Sequence, residues 1–287
     1  DKANNNRFKT LPIFARRGAI LDKNGIPLAY NTVPINAATS SNGQIVYYRE
    51  YIDEPGFANL LGYLSYPKAD AKGVYWQDEY IGRDGLEKQY NDLLQGITGS
   101  RVVEVSASGE LTNTEIMNAE SNGQNLKTNI DSRIQSIMYK KIKSYCDQYG
   151  YKSGAGVWMD ANTGEVQALV SYPEYDNNLI TNGTTTDDKA KVAMQLQDKS
   201  KMHLNRPVSG LFAPGSVVKP FMLYAALKEK VIGEYTQIFS SGKLVIPNRF
   251  GGPDTVFRDW KPHGLTDARK AIQESSDEYF YQVGGGY

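Results

Sequence analysis

Three serine–lysine pairs in this 287-residue chain have a spacing that can turn a serine hydroxyl into a nucleophile. The pairs are Ser65 with Lys68, Ser216 with Lys219, and Ser240 with Lys243. Residues three apart lie on one face of a helix, so the lysine amine can reach the serine hydroxyl and take its proton. A serine activated in this way attacks carbonyl carbon atoms and forms an acyl-enzyme. The spacing alone does not separate such a pair from a serine that caps a helix beside a solvated lysine.

The residues around each pair favour Ser216 and Lys219 as the reactive pair. Pro67 interrupts the first pair and Gly242 the third, and both pairs lie in turn-like sequence. No helix would bring the lysine back over the serine there. Pro214 instead ends the segment before Ser216, and the residues after it predict a helix.

The helix predicted after Ser216 indicates how Lys219 could act as a base. Residues 221–227 are apolar on every face, which predicts a helix buried in the centre of its domain. A lysine held against a buried helix loses hydration, and this favours the neutral amine that a base needs. Free amides at the helix start favour an alkoxide on the serine. Pro220 offers no amide hydrogen to the Ser216 carbonyl, so the first turn is expected to be irregular.

A second polar element, Ser275 to Asp277, follows in "SSDEYFYQVGGGY". One interpretation is structural, because Ser275 and Glu278 have the spacing of a capping box that opens a short amphipathic helix. The other is functional and places Ser275 and Asp277 in the same cleft as Lys219. Ser275 would then relay a proton, and Asp277 would hold Lys219 and the substrate by hydrogen bonds.

The surrounding elements are predicted from turns, caps and periodicity. Asn24 and the glycine after it predict a hairpin, and a short helix is expected to end at Gly96. Asp131 can cap a helix whose apolar residues recur at helical spacing. Two apolar runs around residues 162–164 predict another hairpin. The polar residues 176–202 predict a long surface loop.

Composition excludes several classes of site. The 32 basic and 32 acidic side chains cancel, so nothing indicates nucleic-acid binding. Cys146 is the single cysteine, which excludes an internal disulfide, and its helical spacing predicts a core residue. Asp259 and His263 are too few for a metal site and are expected in a solvated loop, and His203 is expected on the surface. No metal or organic cofactor is implied.

No apolar run is long enough to span a membrane, and the chain begins with Asp1, so we expect that an anchor or signal has been removed.

Ser-x-x-Lys followed by Ser-x-Asp resembles the active-site series of penicillin-binding proteins and serine β-lactamases. Four further segments resemble class B penicillin-binding proteins: "RRGAILDKNGIPLA", "YIGRDGLEKQYNDLLQGITG", "LKTNIDSRIQ" and "GAGVWMDANTGEVQALVSYPEYDNN". Asp277 and the runs "DWKPHG" and "YFYQVGGGY" are most similar to the elongation-type members. The resemblance covers nearly the whole chain.

The resemblance implies an α+β multidomain fold. Residues 1–127 would form a β-rich pedestal, and residues 128–287 would form part of a penicillin-binding, serine β-lactamase-like α/β transpeptidase domain. The implied enzyme is a membrane-anchored D,D-transpeptidase that cross-links peptidoglycan stem peptides outside the cytoplasm during elongation. It would bind β-lactam antibiotics and work beside a membrane glycosyltransferase of the shape, elongation, division and sporulation family.

The resemblance also assigns roles to the residues that match the motifs. Ser216 would attack the D-Ala-D-Ala carbonyl while Lys219 takes its proton, and the Ser216 amide would supply one oxyanion donor. Ser275 would protonate the leaving D-Ala, and Asp277 would hold Lys219 and the substrate.

One family element has no counterpart after the second motif. The family's Lys-Thr/Ser-Gly should follow Ser275, but the sequence stops at Tyr287, so we expect a chain truncated within its catalytic domain. A literal match at residues 152–154 precedes the nucleophile and is interpreted as coincidence. Two alternatives stay open. One is a β-lactam sensor or β-lactamase, disfavoured by the long N-terminal segment, and the other is a non-catalytic scaffold that binds wall-synthesis partners through residues 1–127.

Overall fold

The computed structural model describes residues 8–33, 45–71, 73–106 and 111–285, with the backbone alone at 111 and 112. It divides into two compact units, Asp1–Gly210 (unit 1) and Leu211–Tyr287 (unit 2). The predicted domain boundary at residue 127 falls inside unit 1 and stays a prediction. Among the described residues, no helix combines the length and the apolar character needed to cross a membrane.

Unit 1 begins with strand-rich structure, as predicted. Its strands are β1 (Phe8–Ile13), β2 (Ile20–Leu21), β3 (Pro27–Thr32), β4 (Tyr48–Tyr51), β5 (Leu64–Ser65), β6 (Lys68–Ala69), β7 (Tyr75–Gln77), β8 (Ile81–Gly82), β9 (Gly99–Val105), β10 (Leu111–Asn118), β11 (Leu126–Lys127), β12 (Gly154–Met159) and β13 (Val166–Tyr172). Its helices are α1 (Ala58–Leu61), α2 (Gly85–Gln89), α3 (Asn91–Leu94), α4 (Ser132–Tyr149), α5 (Asn177–Asn182), α6 (Thr186–Gln197) and α7 (Arg206–Ser209). The sheets have the orders β1-β9-β10 and β11-β2-β3-β4, and the pairs β5-β8, β6-β7 and β12-β13 are separate. Strands β12 and β13 therefore pair with each other, apart from the N-terminal sheets.

Several local predictions for unit 1 are confirmed. Strands β2 and β3 form the hairpin around Asn24, where Gly25 has φ +85°. The Asp131 carboxylate accepts from the amides of Arg133 and Ile134 at the start of α4, and Cys146 is buried in that helix. Strands β12 and β13 form the second hairpin. Each of these features is determined by a short stretch of sequence, so turn and capping residues were enough to predict it.

The surface loop predicted at residues 176–202 is wrong. This stretch contains helices α5 and α6. Asp176 caps the first by accepting from the Leu179 amide, and Thr185 with Asp188 forms a capping box on the second. Helix α6 buries no residue, so its sequence lacks the apolar stripe that normally marks a helix.

The core of unit 1 contains a buried charge cluster beside its apolar residues. Ile20, Leu28, Leu61 and Leu94 belong to the largest apolar cluster. The Glu87 carboxylate lies between two buried arginines, with Oε2 2.6 Å from Arg17 Nε and Oε1 2.7 Å from Arg49 Nε. Glu87 of α2 thus meets Arg17, which lies just before β2, and Arg49 of β4 in the interior of unit 1.

Unit 2 contains a 3₁₀ turn (Gly215–Val218), helices α8 (Lys219–Lys228), α9 (Ala268–Gln273) and α10 (Asp277–Gly284), and strands β14 (Ile238–Ser240), β15 (Lys243–Ile246), β16 (Thr255–Arg258) and β17 (Gly264–Thr266). Strands β14 and β17 pair, as do β15 and β16. The core consists of the buried residues Ala226, Ile232, Ile238, Ala271, Tyr279, Phe280 and Val283.

Helix α8 is not buried on all sides, contrary to the prediction. Phe221 is 74% exposed and Tyr224 68% exposed, whereas Lys219 and Ala226 are its buried residues. The described residues of unit 2 pack on one side of the helix, through Met222 and its neighbours. The apolar composition therefore predicted the helix but not its surroundings.

Candidate active site

The chain around Ser216 forms a tight turn that leads into α8. Pro220 has no amide hydrogen, and the Ser216 carbonyl accepts instead from the Lys219 amide, three residues on. The predicted irregular first turn is confirmed as this 3₁₀ turn. Ser216 is exposed on it, and Gly215 before it has φ +60°, a value that favours glycine.

Lys219 is buried at 6% exposure and joins α8 to the start of α10. Its Nζ lies 2.6 Å from the Ser275 carbonyl oxygen, 3.1 Å from Ser275 Oγ and 2.6 Å from Asp277 Oδ1. The ring of Phe280 lies 5.9 Å from the same nitrogen. The structure thus brings together three of the four predicted site residues. Among the described residues, the hydrogen bonds of the Lys219 ammonium go to Ser275 and Asp277 and none goes to Ser216.

The structural interpretation of Ser275, as the cap of a capping box, is wrong because the cap lies one residue later. Ser276 is the N-cap of α10, and its Oγ accepts from the Tyr279 amide. Ser275 precedes the helix in a left-handed conformation with φ +53°. Both its carbonyl and its hydroxyl oxygen contact Lys219, and the hydroxyl does not cap the helix.

The other two serine–lysine pairs are occupied elsewhere. Ser65 accepts from Arg83 and lies in strand β5, so it has no helical relation to its lysine. Ser240 is buried and donates to Glu278 Oε2 over 3.0 Å, while Lys243 is exposed. Ser65 and Ser240 therefore both lie in strands, whereas Ser216 lies on the turn that leads into α8.

Asp259 and His263 do not lie in a solvated loop, contrary to the prediction. Both side chains are fully buried, with His263 Nε2 3.4 Å from Asp259 Oδ1. The other ring nitrogen, Nδ1, lies 2.7 Å from Glu274 Oε2. Sequence reasoning missed this cluster because its third member, Glu274, is distant in sequence and gives no spacing signal. His203, predicted on the surface, is half-buried with its ring 4.5 Å from that of Tyr175, and burial lowers its pKa.

The two carboxylates of this cluster face opposite nitrogens of one imidazole, so a single metal ion could not bind all three groups. In the part of the chain that the structure describes, no three His, Cys, Asp or Glu side chains are grouped to hold a metal ion.

Comparison with known proteins matches two family models. Residues 154–285 match the penicillin-binding protein transpeptidase domain, and residues 42–128 match the penicillin-binding protein dimerisation domain. The peptidoglycan D,D-transpeptidase MrdA of Haemophilus influenzae is 36% identical over 82% of this chain and 36% of its own length.

Two solved structures are similar over 96% of the chain. One, a penicillin-binding protein in complex with MreC from Helicobacter pylori, has a TM-score of 0.71 at 26% identity, and 63% of it is covered. The other belongs to a peptidoglycan synthase complex described as coordinating polymerization and crosslinking, with a TM-score of 0.68 at 25% identity and 57% covered. The chain therefore spans less than two thirds of each of these proteins.

Proposed function

Because the chain belongs to the class B penicillin-binding proteins, we propose that it supplies the nucleophile, base and proton relay of a peptidoglycan D,D-transpeptidase. The observation that carries this proposal is the buried Lys219 ammonium, whose contacts are the two oxygens of Ser275 and the carboxylate of Asp277. These are the residues of the second motif, more than fifty positions away in sequence.

The contacts of Lys219 suit a group that both holds and passes a proton. As an ammonium it has three protons, and three acceptors surround it. As a neutral amine it has two protons and a lone pair, to which the Ser275 hydroxyl can donate over the same 3.1 Å. A proton can therefore move in either direction between Ser275 and Lys219, as a relay requires.

In the proposed reaction, Ser216 Oγ attacks the carbonyl carbon of the D-Ala-D-Ala bond while the neutral Lys219 amine takes the hydroxyl proton. The C–N bond then breaks, and the terminal D-Ala leaves with a proton delivered through Ser275. The amine of a second stem peptide attacks the resulting ester, returns a proton along the same path and frees the Ser216 hydroxyl. Asp277 keeps Lys219 in place and binds substrate, and the Ser216 amide is one oxyanion donor.

We place this reaction in wall synthesis during elongation, on the outer side of the cell membrane, with β-lactam antibiotics as competing acyl donors. One structural neighbour belongs to a complex that couples polymerization to crosslinking. We therefore expect a membrane glycosyltransferase of the shape, elongation, division and sporulation family to bind through residues 1–127. Co-purification from native membranes tests this, and a transpeptidase that purifies without such a partner would contradict it.

Covalent labelling by a fluorescent penicillin, in the native protein that carries this chain, tests the catalytic assignment. Ser216→Ala should abolish labelling because the attacking oxygen is gone. Lys219→Ala should cost nearly as much, since residues that act as one catalytic unit are strongly non-additive. Lys68→Ala and Lys243→Ala are matched controls, because both lysines are exposed and should label like the wild type.

Undiminished labelling of a folded Ser216→Ala protein would refute the assignment. Rapid hydrolysis of the penicilloyl ester by the wild type would instead indicate a β-lactamase of the same fold. A folded wild type that never labels would favour the non-catalytic scaffold.

A further inference from the structure

We propose that Asp259, His263 and Glu274 form a positioning network that holds Ser275 and Asp277 against Lys219. This inference rests on the proposed function and adds residues that do not contact the reacting atoms. The network lies directly behind the second motif, and each of its members is bonded to the segment that carries it.

Asp259 fixes the start of α10 from outside the helix. Its side chain is fully buried, and its Oδ2 accepts from Ser276 Oγ at 2.9 Å and from the Glu278 amide at 2.7 Å. Burial by itself raises the pKa of this carboxyl, but the hydrogen bonds from Glu278, Ser276 and Trp260 outweigh it, and the net pKa is lowered. An ionised carboxylate at a helix N-terminus is also favoured by the helix dipole. The bonded residues, Ser276 and Glu278, alternate with Ser275 and Asp277, which contact Lys219.

His263 contacts the same segment on the N-terminal side of Ser275. Its buried ring contacts the Glu274 carboxylate through Nδ1 over 2.7 Å. The other ring nitrogen, Nε2, lies 3.4 Å from Asp259 Oδ1 and makes no hydrogen bond to it. Trp260 donates from its indole nitrogen to the Glu274 carbonyl over 3.2 Å and packs edge-on to the His263 ring. Glu274 directly precedes Ser275, and Ser276 directly follows it. The network therefore contacts the chain on both sides of Ser275.

Ser275 needs such support because its backbone conformation is unfavourable. A non-glycine residue at φ +53° is strained and persists only where its surroundings fix it. The Lys219 contacts depend on that conformation, since both the carbonyl and the hydroxyl of Ser275 must point to one nitrogen. A displacement of about 1 Å at a catalytic group can lower a rate about 100-fold.

The test compares Asp259→Ala and Asp259→Asn in the native protein, with Asp254→Ala as the control. Asp254 is an exposed acid in the preceding loop, outside the network. Stopped-flow acylation by a chromogenic β-lactam gives the acylation rate constant and the dissociation constant of the noncovalent complex separately. Asp259→Ala should lower the rate constant about 10- to 100-fold and leave the dissociation constant within about 3-fold. Asp259→Asn keeps an acceptor for the helix amides and should recover most of the rate, and Asp254→Ala should match the wild type.

A second variant keeps the proposal testable if Asp259→Ala does not fold. Glu274→Ala removes a side chain that is 30% exposed, so it should fold, and it should lower the acylation rate constant several-fold. The end-point stoichiometry of labelling reports the fraction of active sites. A loss confined to that fraction, with a normal rate constant for the active molecules, would mean that the network only supports folding and would overturn the proposal.

Two further outcomes would also overturn it. One is a wild-type rate constant in both Asp259→Ala and Glu274→Ala. The other is a wild-type protein that loses the same activity on treatment with a chelator, because a bound metal would then hold the segment. Failure of the proposed function is recognised separately, because the Ser216→Ala variant would then be labelled as strongly as the wild type.

Discussion

Replacing Ser275 by Ala distinguishes a proton relay from a simple anchor for Lys219. The substitution removes the 3.1 Å contact to Oγ and keeps the 2.6 Å contact to the backbone carbonyl. Hydrogen bonds to charged groups contribute about 1.5–3 kcal/mol, and the longer contact belongs at the lower end of that range. About 1.5 kcal/mol corresponds to a roughly 10-fold lower rate if the hydroxyl only anchors the lysine.

A relay would add a much larger loss. General acid–base transfer through a positioned side chain contributes about 10²- to 10⁴-fold, so the combined loss in Ser275→Ala should be about 10³-fold or more. The assay is stopped-flow acylation by a chromogenic β-lactam, which directly follows acylation of the proposed nucleophile, Ser216. A loss of about 10-fold or less would refute the relay and leave Ser275 as an anchor.

Backbone strain is the competing explanation, and Ser275→Gly is the control for it. Glycine adopts φ +53° freely, so it removes the hydroxyl without opposing the backbone conformation. If the hydroxyl carries the proton, the Gly and Ala variants should be impaired to a similar degree. If Gly restores most of the rate, strain in the Ala variant caused the loss and the relay is again refuted.

Two predictions concern stability. Glu87→Gln should lower the free energy of unfolding of unit 1 by about 3–5 kcal/mol in chemical denaturation, because it leaves the buried Arg17 and Arg49 without a counter-charge; a loss below about 1 kcal/mol would contradict this reasoning. Asp131 has a lowered pKa, first because of its hydrogen bond from Lys23. Ionised Asp131 therefore stabilises the folded chain fully above its unfolded-state pKa of about 3.9. This stabilisation is lost as the pH falls through the lower folded-state pKa. Asp131→Asn keeps a capping side chain but removes the charge paired with Lys23, so it should cost up to about 1 kcal/mol at pH 7 and less at pH 3; a cost independent of pH would contradict the assignment.

The features that sequence alone could locate are those decided within a few residues. The turn at Asn24, the cap at Asp131 and the irregular turn before Pro220 depend on backbone conformation and on side chains that reach their own neighbours. The fold class, with a β-rich N-terminal region and an α/β transpeptidase domain, is confirmed as well. The fold class was predicted from several motifs along the chain that together resemble one family, although each motif alone is a weak signal.

The features that sequence missed depend on what each segment does or does not pack against. Helix α6 buries no residue and therefore shows no apolar stripe. Helix α8 is apolar in sequence but exposes Phe221. The Asp259 and His263 pair appeared solvated because its partners, Glu274 and the amides of α10, come from a segment that folds back onto it. Periodicity and spacing carry no information about such pairings.

The doubled serine at positions 275 and 276 explains why one motif supported two opposed interpretations. Helix α10 needs a cap, and Ser276 supplies it with its hydroxyl turned into the interior toward Asp259. Because the cap is provided one residue later, Ser275 can adopt a conformation outside the helix and present its hydroxyl to Lys219. The structural and the proposed catalytic requirements are therefore met by adjacent residues of the same type. Ser276→Ala should accordingly lower stability, by about 1 kcal/mol for the lost cap, and Ser275→Ala should lower the acylation rate.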